Sequence, residues 1–460
     1  MGRIFGTDGA RGVANTEISC KLAMNIGRAA AMVVAERLGH KPAFIIGKDT
    51  RISSDMLEAA VTAGLCSVGA DVHQAGIMPT PAVSYLISEG YADAGIMLSA
   101  SHNPYEFNGI KIFGPGGRKL SDAEEFEIEE IILDKIKPYS IRWGWELGRI
   151  SRSEDLLDKY VDHLAQTVQE DLSGLRVAVD CSNGSASATA ARLFERLGVE
   201  ATILHAEPNG ININRNCGST HIGKLCEYVR EGDFDAGIAY DGDADRCMAA
   251  DELGNVIDGD KIMAIIAADM KARGALHQDT LVATVMSNLG LFKFAEQNGI
   301  HVETTKVGDR YVLENMMKNS HNLGGEQSGH VILLDHMNTG DGQLSSITLL
   351  GILKRSGRKL SQLGGIMHSY PQVMKNIQAD SLMKSKLGAD KGVDKLIEDA
   401  NARLGGDGRI LIRASGTEPL IRVMIEGKEL PMIEQLAQEL AEQLKERLSN
   451  NEDCKKLEGF

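Results

Sequence analysis

Ser99-Ala-Ser101-His102-Asn103-Pro104 sets two hydroxyls beside an imidazole, with Lys111 a short way further on. A hydroxyl next to an imidazole is equipment for covalent catalysis by serine. No Gly-x-Ser-x-Gly elbow surrounds Ser101, which argues against a serine hydrolase of that kind. Gly95 to Leu98 is a short apolar run bounded by turn formers and reads as a buried strand. The segment after it cannot extend that strand, nor open a helix before Pro104. A second strand-like run, Ile110 to Phe113, follows Asn108-Gly109. Hydroxyls, a histidine and a lysine thus share a loop at a strand end, where open α/β sheets bind their ligands. An Asn/Pro turn whose serines satisfy the backbone would look the same. Residues alone leave both readings standing.

Asp241-Gly-Asp243-Ala-Asp245 closes another apolar run, Asp235 to Tyr240. Carboxylates at every second position of a tight turn can point the same way, and they repel unless a cation joins them. Their hard oxygens favour Mg²⁺ or Mn²⁺. An EF-hand is argued against: Arg246 stands where its loop needs glycine, and an apolar strand precedes the turn, although Glu252 does fall at the twelfth position. The competing view is a solvated acidic turn.

Arg413-Ala-Ser-Gly-Thr-Glu-Pro419 offers a guanidinium, two hydroxyls and backbone N–H groups around a glycine, with Arg422 beyond it. This set suits a phosphate dianion, and equally a Ser-Gly hairpin with a solvated arginine. Gly324-Gly-Glu326-Gln-Ser328-Gly-His330 suits a hydroxyl-rich ligand such as a sugar, though its residues are ordinary on any loop. Val307-Gly-Asp309-Arg310 reads as a ligand loop or a plain helix start. A P-loop motif is absent. Each of the four main clusters lies at the end of an apolar strand in a different part of the chain. Four such ends could meet in one cleft.

The elements that must carry these clusters alternate. Phe5 to Gly12 reads as a glycine-punctuated loop, followed by a helix that Ser19 caps and Gly39 ends. A strand from Pro42 to Gly47, a helix from Ser54 to Gly69 and a helix opened by Pro79-Thr80-Pro81 precede the Ser101 segment. Ser121-x-x-Glu124 is a capping box. Further on come a strand from Arg176 to Asp180, a helix from Gly184 to Gly198, and a helix from Gly259 to Arg273. After a strand from Thr280 to Val285 there is a helix from Gln343 to Ser356. Strands from Arg409 to Arg413 and Ile421 to Glu426 precede a last helix, Pro431 to Leu448. Alternation of this kind predicts sheets covered on both faces. We expect units at 1–152, 153–255 and 256–371, and a smaller α+β unit at 372–460. No repeat is visible in the sequence.

A chain of 460 residues is long enough for about three domains. Its 43% apolar and 25% charged residues are those of a soluble globular protein. No run approaches the roughly 18 apolar residues of a membrane span, and no signal peptide is visible. The seven scattered cysteines fit reduced thiols in the cytoplasm, and none stands in metal-finger spacing. A net charge of -15 argues against nucleic acid and requires an anionic substrate to be met by locally collected arginines and lysines.

Ala100-Ser101-His102-Asn103-Pro104 with Asn108-Gly109-Ile110-Lys111 resembles the phosphoserine loop of the α-D-phosphohexomutases. All four loops occur in that family's order and at about its separations, so the resemblance covers roughly residues 3 to 430, with no departure at a motif position. It implies three similar α/β domains with mixed sheets and a smaller C-terminal α+β domain around a central cleft. By resemblance, Ser101 carries the transferable phosphoryl group as phosphoserine. Asp241, Asp243 and Asp245 hold one Mg²⁺ together with it. Arg11, His102, Lys111 and His330 surround the reacting oxygen, with His330 the candidate general base or acid. Glu326 and Ser328 bind sugar hydroxyls, and Arg246 and Asp309 line the substrate. Arg413, Ser415, Gly416, Thr417 and Arg422 take the non-reacting phosphate on a domain expected to move as a lid.

Phe5-Gly-Thr-Asp-Gly-Ala-Arg-Gly12, Cys217-Gly-Ser-Thr-His221, Val307-Gly-Asp-Arg-Tyr311 and Gly325-Glu-Gln-Ser-Gly-His330 resemble the branch that acts on glucosamine phosphates. The implied reaction interconverts glucosamine 6-phosphate and glucosamine 1-phosphate through a sugar bisphosphate, on the way to amino-sugar nucleotides for cell walls. A kinase or the bisphosphate primes Ser101, and the expected assembly is a monomer or homodimer without membrane partners. Two rivals are the same fold acting on glucose or mannose phosphates and a sugar-phosphate sensor without catalysis. A sensor would have no use for Ser101, Lys111 and the aspartates.

Overall fold

The computed structural model describes residues 2–6, 8–153, 155–415 and 419–449. The chain falls into two compact units, one built up to residue 287 together with 295–366, the other from 288–294 together with the chain from 367 onward.

The first unit holds three sheets. The first contains β1 (Ala10–Val13), β2 (Ala43–Lys48), β3 (Asp71–Ile77), β4 (Ala94–Leu98), β5 (Phe107–Phe113) and β6 (Ile150–Arg152), in the order β1-β5-β4-β2-β3-β6. The second has β7 (Arg176–Asp180), β8 (Glu200–Leu204), β9 (Ala236–Tyr240), β10 (Cys247–Asp251) and β11 (Val256–Ile257), ordered β11-β10-β9-β7-β8. The third has β12 (Thr280–Thr284), β13 (His301–Thr305), β14 (Leu323–Gly325) and β15 (Val331–Leu333), ordered β13-β12-β14-β15.

One plan recurs in all three. The first strand pairs in parallel with the second and the third, and the fourth returns antiparallel beside the third. In the first sheet these are β2, β3, β4 and β5; in the second β7, β8, β9 and β10; in the third β12, β13, β14 and β15. The Ser101 segment, the Asp241–Arg246 turn and the Glu326–His330 loop all occupy the same connection, from third strand to fourth. The sequence shows no repeat because the plan is kept by apolar pattern and pairing rather than by residue identity.

Local chemistry explains the elements. Ser19 accepts the Leu22 N–H at 3.2 Å and starts the helix Cys20–Leu38, and Gly39, at φ 72°, ends it. The Ser121/Glu124 capping box opens Asp122–Glu129 as expected. In the first domain Phe44, Ile46, Leu57, Val61, Leu65, Ile96 and Ile110 lie in one buried core. The middle strands β4 and β9 are buried at every residue, which accounts for apolar runs without alternation.

Three readings change. The end of the Phe5–Gly12 loop gives way to a strand: Ala10 to Gly12 belong to β1, which pairs antiparallel with β5, Arg11 opposite Gly109. A glycine-rich segment becomes a strand only because a partner edge is present. The stretch Gly184 to Gly198 is not one helix but a 3₁₀ turn, Ser185–Ala188, and a helix, Ala190–Arg196. The helix Leu156–Thr167, unassigned from sequence, buries Leu156, Tyr160, Val161 and Leu164 along one side.

The second unit carries an antiparallel sheet of β16 (Gln372–Gln378), β17 (Gly408–Ala414) and β18 (Leu420–Gly427), with β18 in the middle. Helices Lys391–Leu404 and Leu430–Ser449 contribute Val393, Ala400, Leu404, Ile433, Leu436, Leu440 and Leu444 to a core with Ile421, Val423 and Ile425. No helix among the described residues is long and apolar enough to cross a membrane, and the six described cysteines are free thiols.

Candidate active site

β4 delivers Ser99 and Ser101 into the first unit's interior. Ser101 sits at φ 51°, a left-handed conformation that a serine adopts only when its surroundings enforce it. Its N–H donates to Ser99 Oγ at 2.9 Å, and its Oγ donates to Asp241 Oδ2 of the second domain at 2.5 Å. The side chain is fully buried. His102 Nδ1 lies 3.5 Å from Ser101 Oγ and 3.3 Å from Arg246 Nη1. Burial, then Arg246 and Arg11, push the imidazole down to about 4, so it is neutral near pH 7.

The acidic turn between β9 and β10 meets this loop directly. A Cβ on Gly242 would stand 2.6 Å from the Ser101 carbonyl oxygen, so only glycine lets the two backbones approach. Asp241, Asp243 and Asp245 are all buried, and one oxygen from each lies within 4.8 Å of the others. Thr80 Oγ1 donates to Asp243 Oδ2 at 2.5 Å. Lys111 Nζ reaches Asp243 Oδ2 at 2.7 Å, Asp8 Oδ2 at 3.1 Å and Asp245 Oδ2 at 3.4 Å. Burial pulls its pKa down, but the three carboxylates outweigh that and hold it above the ordinary value.

The carboxylates themselves differ. Burial, Asp245 and Asp243 push Asp241 well above the usual range. Asp245 is also buried, yet Lys111, His330 and Arg246 keep it well below. Asp243 Oδ1 and Asp245 Oδ1 are buried and accept no hydrogen bond from the described residues. Orphaned carboxylate oxygens, like charges in one turn and an adjacent hydroxyl fit a hard divalent cation.

The third domain closes the site from another side. Gly329, at φ 94°, has no room for a Cβ, which would stand 2.3 Å from the Cys247 carbonyl oxygen. That contact seats the Glu326–His330 loop on β10. Glu326 Oε1 accepts the Gly308 N–H at 2.9 Å, while Ser328 is exposed. His330 Nε2 accepts the Gly340 N–H at 3.1 Å, which puts the proton of a neutral ring on Nδ1, 3.7 Å from Asp245 Oδ2. Burial lowers the His330 pKa, but Asp245 and Asp309 raise it by more. Arg246 donates its backbone N–H to Asp241 Oδ1 at 3.2 Å, and its side chain is half-buried.

Arg11 pairs with Asp8, and Asp309 is held by Lys119 Nζ at 2.6 Å. Asp8, Lys119, Thr80, Asn214 and Asp49 with Arg51 were not singled out from the sequence. Lys119 follows Gly114-Pro-Gly-Gly117, which reads as a turn, and Asp8 stands in a glycine-rich run. Neither position carries a signal until the sheets bring them together. In the second unit Arg413 and Arg422 face each other across β17 and β18. Burial and Arg422 lower the Arg413 pKa. Ser415 N–H donates to the Leu420 carbonyl at 2.9 Å. Gly416 and Thr417 lie outside the described residues.

Three repeated α/β plans and a fourth, smaller domain match known domains one by one. Residues 2–138, 158–254 and 258–370 match phosphoglucomutase/phosphomannomutase alpha/beta/alpha domains I, II and III, and 374–443 match the C-terminal domain. The chain belongs to the phosphoglucomutase/phosphomannomutase family. Within it, the chain is 52% identical over 448 residues to the phosphoglucosamine mutase of Acetivibrio thermocellus, covering 97% of this chain and 100% of that one. It is similar in fold to a phosphoglucomutase/phosphomannomutase family protein from Burkholderia thailandensis, with a TM-score of 0.82 at 24% identity over 97% and 98% of the two chains. It also resembles the N-acetylphosphoglucosamine mutase of Aspergillus fumigatus, solved with GlcNAc-6P and magnesium, at a TM-score of 0.71 and 17% identity over 96% and 95%.

Proposed function

We propose that this protein interconverts glucosamine 6-phosphate and glucosamine 1-phosphate, with Ser101 as the phosphoryl carrier. The observation that carries the reading is Ser101 Oγ at 2.5 Å from Asp241, in a turn of three buried carboxylates spanned by Lys111. The name of the relative at 52% identity supports the substrate. Asp241, Asp243 and Asp245 would hold Mg²⁺, which supplies charge neutralisation at the phosphoryl group.

In the forward step the bond between phosphorus and Ser101 Oγ breaks as one to the sugar 1-oxygen forms, and the hydroxyl proton leaves to a base, for which His330 is our candidate. The resulting bisphosphate turns in the site. Ser101 Oγ then bonds to the phosphorus on the 6-oxygen as that P–O bond breaks, and the departing 6-oxygen takes the proton held by the base, restoring the phosphoenzyme. Lys111 and Arg11 offset the developing charge, and Glu326 with Ser328 orients the sugar. The fourth domain would bind the non-reacting phosphate through Arg413, Ser415 and Arg422, and through Gly416 and Thr417. A cationic amine on the sugar would face Glu326, since Asp309 already carries Lys119.

The test is a side-by-side assay of the phosphorylated enzyme, with a trace of bisphosphate, on glucosamine, N-acetylglucosamine, glucose and mannose phosphates. Glucosamine phosphate should give the highest kcat/KM, because an acid left without its charge partner disfavours the 2-hydroxyl analogue. EDTA should abolish turnover and Mg²⁺ restore it. An equal or greater kcat/KM for glucose or mannose phosphate overturns the sugar assignment. Full activity without metal overturns the metal's role.

A further inference from the structure

Arg51 lies outside every cluster that the proposed reaction uses, yet its side chain is fully buried against the Ser101 loop. A guanidinium has five N–H donors, and here every one is engaged. Nε donates to Asp49 Oδ2 at 2.8 Å. Nη1 donates to the carbonyls of Pro104 and of Phe107, the latter at 3.1 Å. Nη2 donates to the carbonyls of Ser101 and Asn103, each at 2.8 Å. Four carbonyls of one loop thus converge on one side chain.

Asp49 completes the frame. It accepts from Ser54 Oγ at 3.0 Å and from Ser99 Oγ at 2.6 Å, and Ser99 Oγ in turn takes the Ser101 N–H. Both backbone polar groups of Ser101 are therefore anchored, directly or through one hydroxyl, to the Asp49–Arg51 pair. From the second domain, Asn214 Nδ2 donates to the same Ser101 and Asn103 carbonyls at 2.8 and 3.1 Å.

A buried ion pair is weak evidence for stability, because desolvation offsets most of its attraction. Its geometry points elsewhere. Ser101 stands in a left-handed conformation that its own chain does not favour, and phosphoryl transfer in both directions requires its Oγ to return to one place. We propose that Arg51, oriented by Asp49, is a positioning residue that holds the Ser101 loop in its phosphoryl-transfer conformation. This rests on Ser101 being the carrier.

Lysine keeps the charge but has three donors and no planar fork, so it cannot hold four carbonyls. Arg51→Lys should lower kcat about 10- to 100-fold with KM and the metal requirement little changed, since the loop is displaced and the sugar contacts are not. Hydrogen exchange across residues 99–107 should rise about tenfold while the helices Cys20–Leu38 and Gly259–Ala272 keep their protection. Asn214→Ala, which removes only the second domain's donors, should shift both readouts in the same direction by about 3- to 10-fold. It decides the matter if Arg51→Lys does not fold. A lowered Tm with unchanged kcat and unchanged loop exchange would make Arg51 a purely structural residue and overturn the proposal. The wild type is assayed first: no turnover on any sugar phosphate overturns the function, whereas the exchange measurement judges the clamp independently of the sugar.

Discussion

Two aspartates of one turn, Asp241 and Asp245, occupy opposite electrostatic positions. Asp241 faces Ser101 Oγ and is pushed well above the usual carboxylate range by burial and its neighbouring aspartates, while Asp245 is held below it by Lys111, His330 and Arg246. Lys111 reaches both Asp243 and Asp245 with its ammonium, and it does so with 1% of its side chain exposed. Such a charge is tolerated in the interior only because carboxylates surround it. Ser101 gives its hydroxyl to Asp241 of this constellation, as Thr80 does to Asp243, and in the proposed function Ser101 is the carrier. Ser101→Ala should therefore lower turnover by at least about 10³-fold, as loss of a covalent carrier does, while the fold is retained. Intact-protein mass spectrometry should find one phosphate on the wild type and none on the variant. An alanine variant with wild-type turnover would remove Ser101 from the mechanism.

The three loops of the first unit share a location because their sheets share a plan. Where a parallel run ends and the next strand returns antiparallel, the connection is short and exposes backbone at the strand's carboxyl end, which is where polar side chains can gather. The fourth domain uses a different connection, the hairpin from β17 to β18. Arg413 and Arg422 sit directly opposite each other there, and like charges in that position are destabilising. In the proposed function Arg413 meets the substrate's non-reacting phosphate. Arg413→Ala should lower kcat/KM by about 10- to 100-fold, the loss of a contact worth about 1.5–3 kcal/mol, and should not lower Tm. Phosphorylation of Ser101 should be preserved. Unchanged kcat/KM would leave Arg413 a surface arginine without a phosphate to bind.

Within the first unit the domains are joined by buried polar contacts as well as apolar ones. Asp341 caps the helix Gly342–Ser356 through the Gln343 and Leu344 N–H groups, and its Oδ2 accepts from Tyr160 of the second domain at 2.8 Å. Burial raises its pKa from 3.8 to about 6, against the pull of those donors. The native state then holds the Asp341 proton more tightly than the unfolded chain does. Stability from this group is fully present below pH 3.8 and is lost as pH rises through about 6. The range corresponds to about 3 kcal/mol at most. Asp341→Asn cannot titrate, so thermal melts of the metal-free protein should show the wild type losing Tm relative to the variant between pH 4 and pH 6.5, on the order of that window. Parallel Tm curves would show that Asp341 keeps an ordinary pKa.

Sequence alone determined most elements and the residue types that each loop offers, because both are written in local terms. The helix Cys20–Leu38 has its cap and its glycine stop in the chain, and the strand Arg176–Asp180 is an apolar run whose ends coincide with those read from sequence. Asp241, Asp243 and Asp245 could be read as a cation turn from spacing and donor type. Tertiary structure decided what depends on a partner far along the chain. Ala10-Arg-Gly12 became part of β1 only against β5, and the threefold plan became visible only once strands were paired. Arg51 carried no signal, since its role lies in four carbonyls supplied by a loop some fifty residues away. Asp309, which the resemblance sets along the substrate, has Lys119 against it only in the fold. A side chain's type is local, but its charge partner and its hydrogen-bond geometry are set by packing, and those determine what the residue can do.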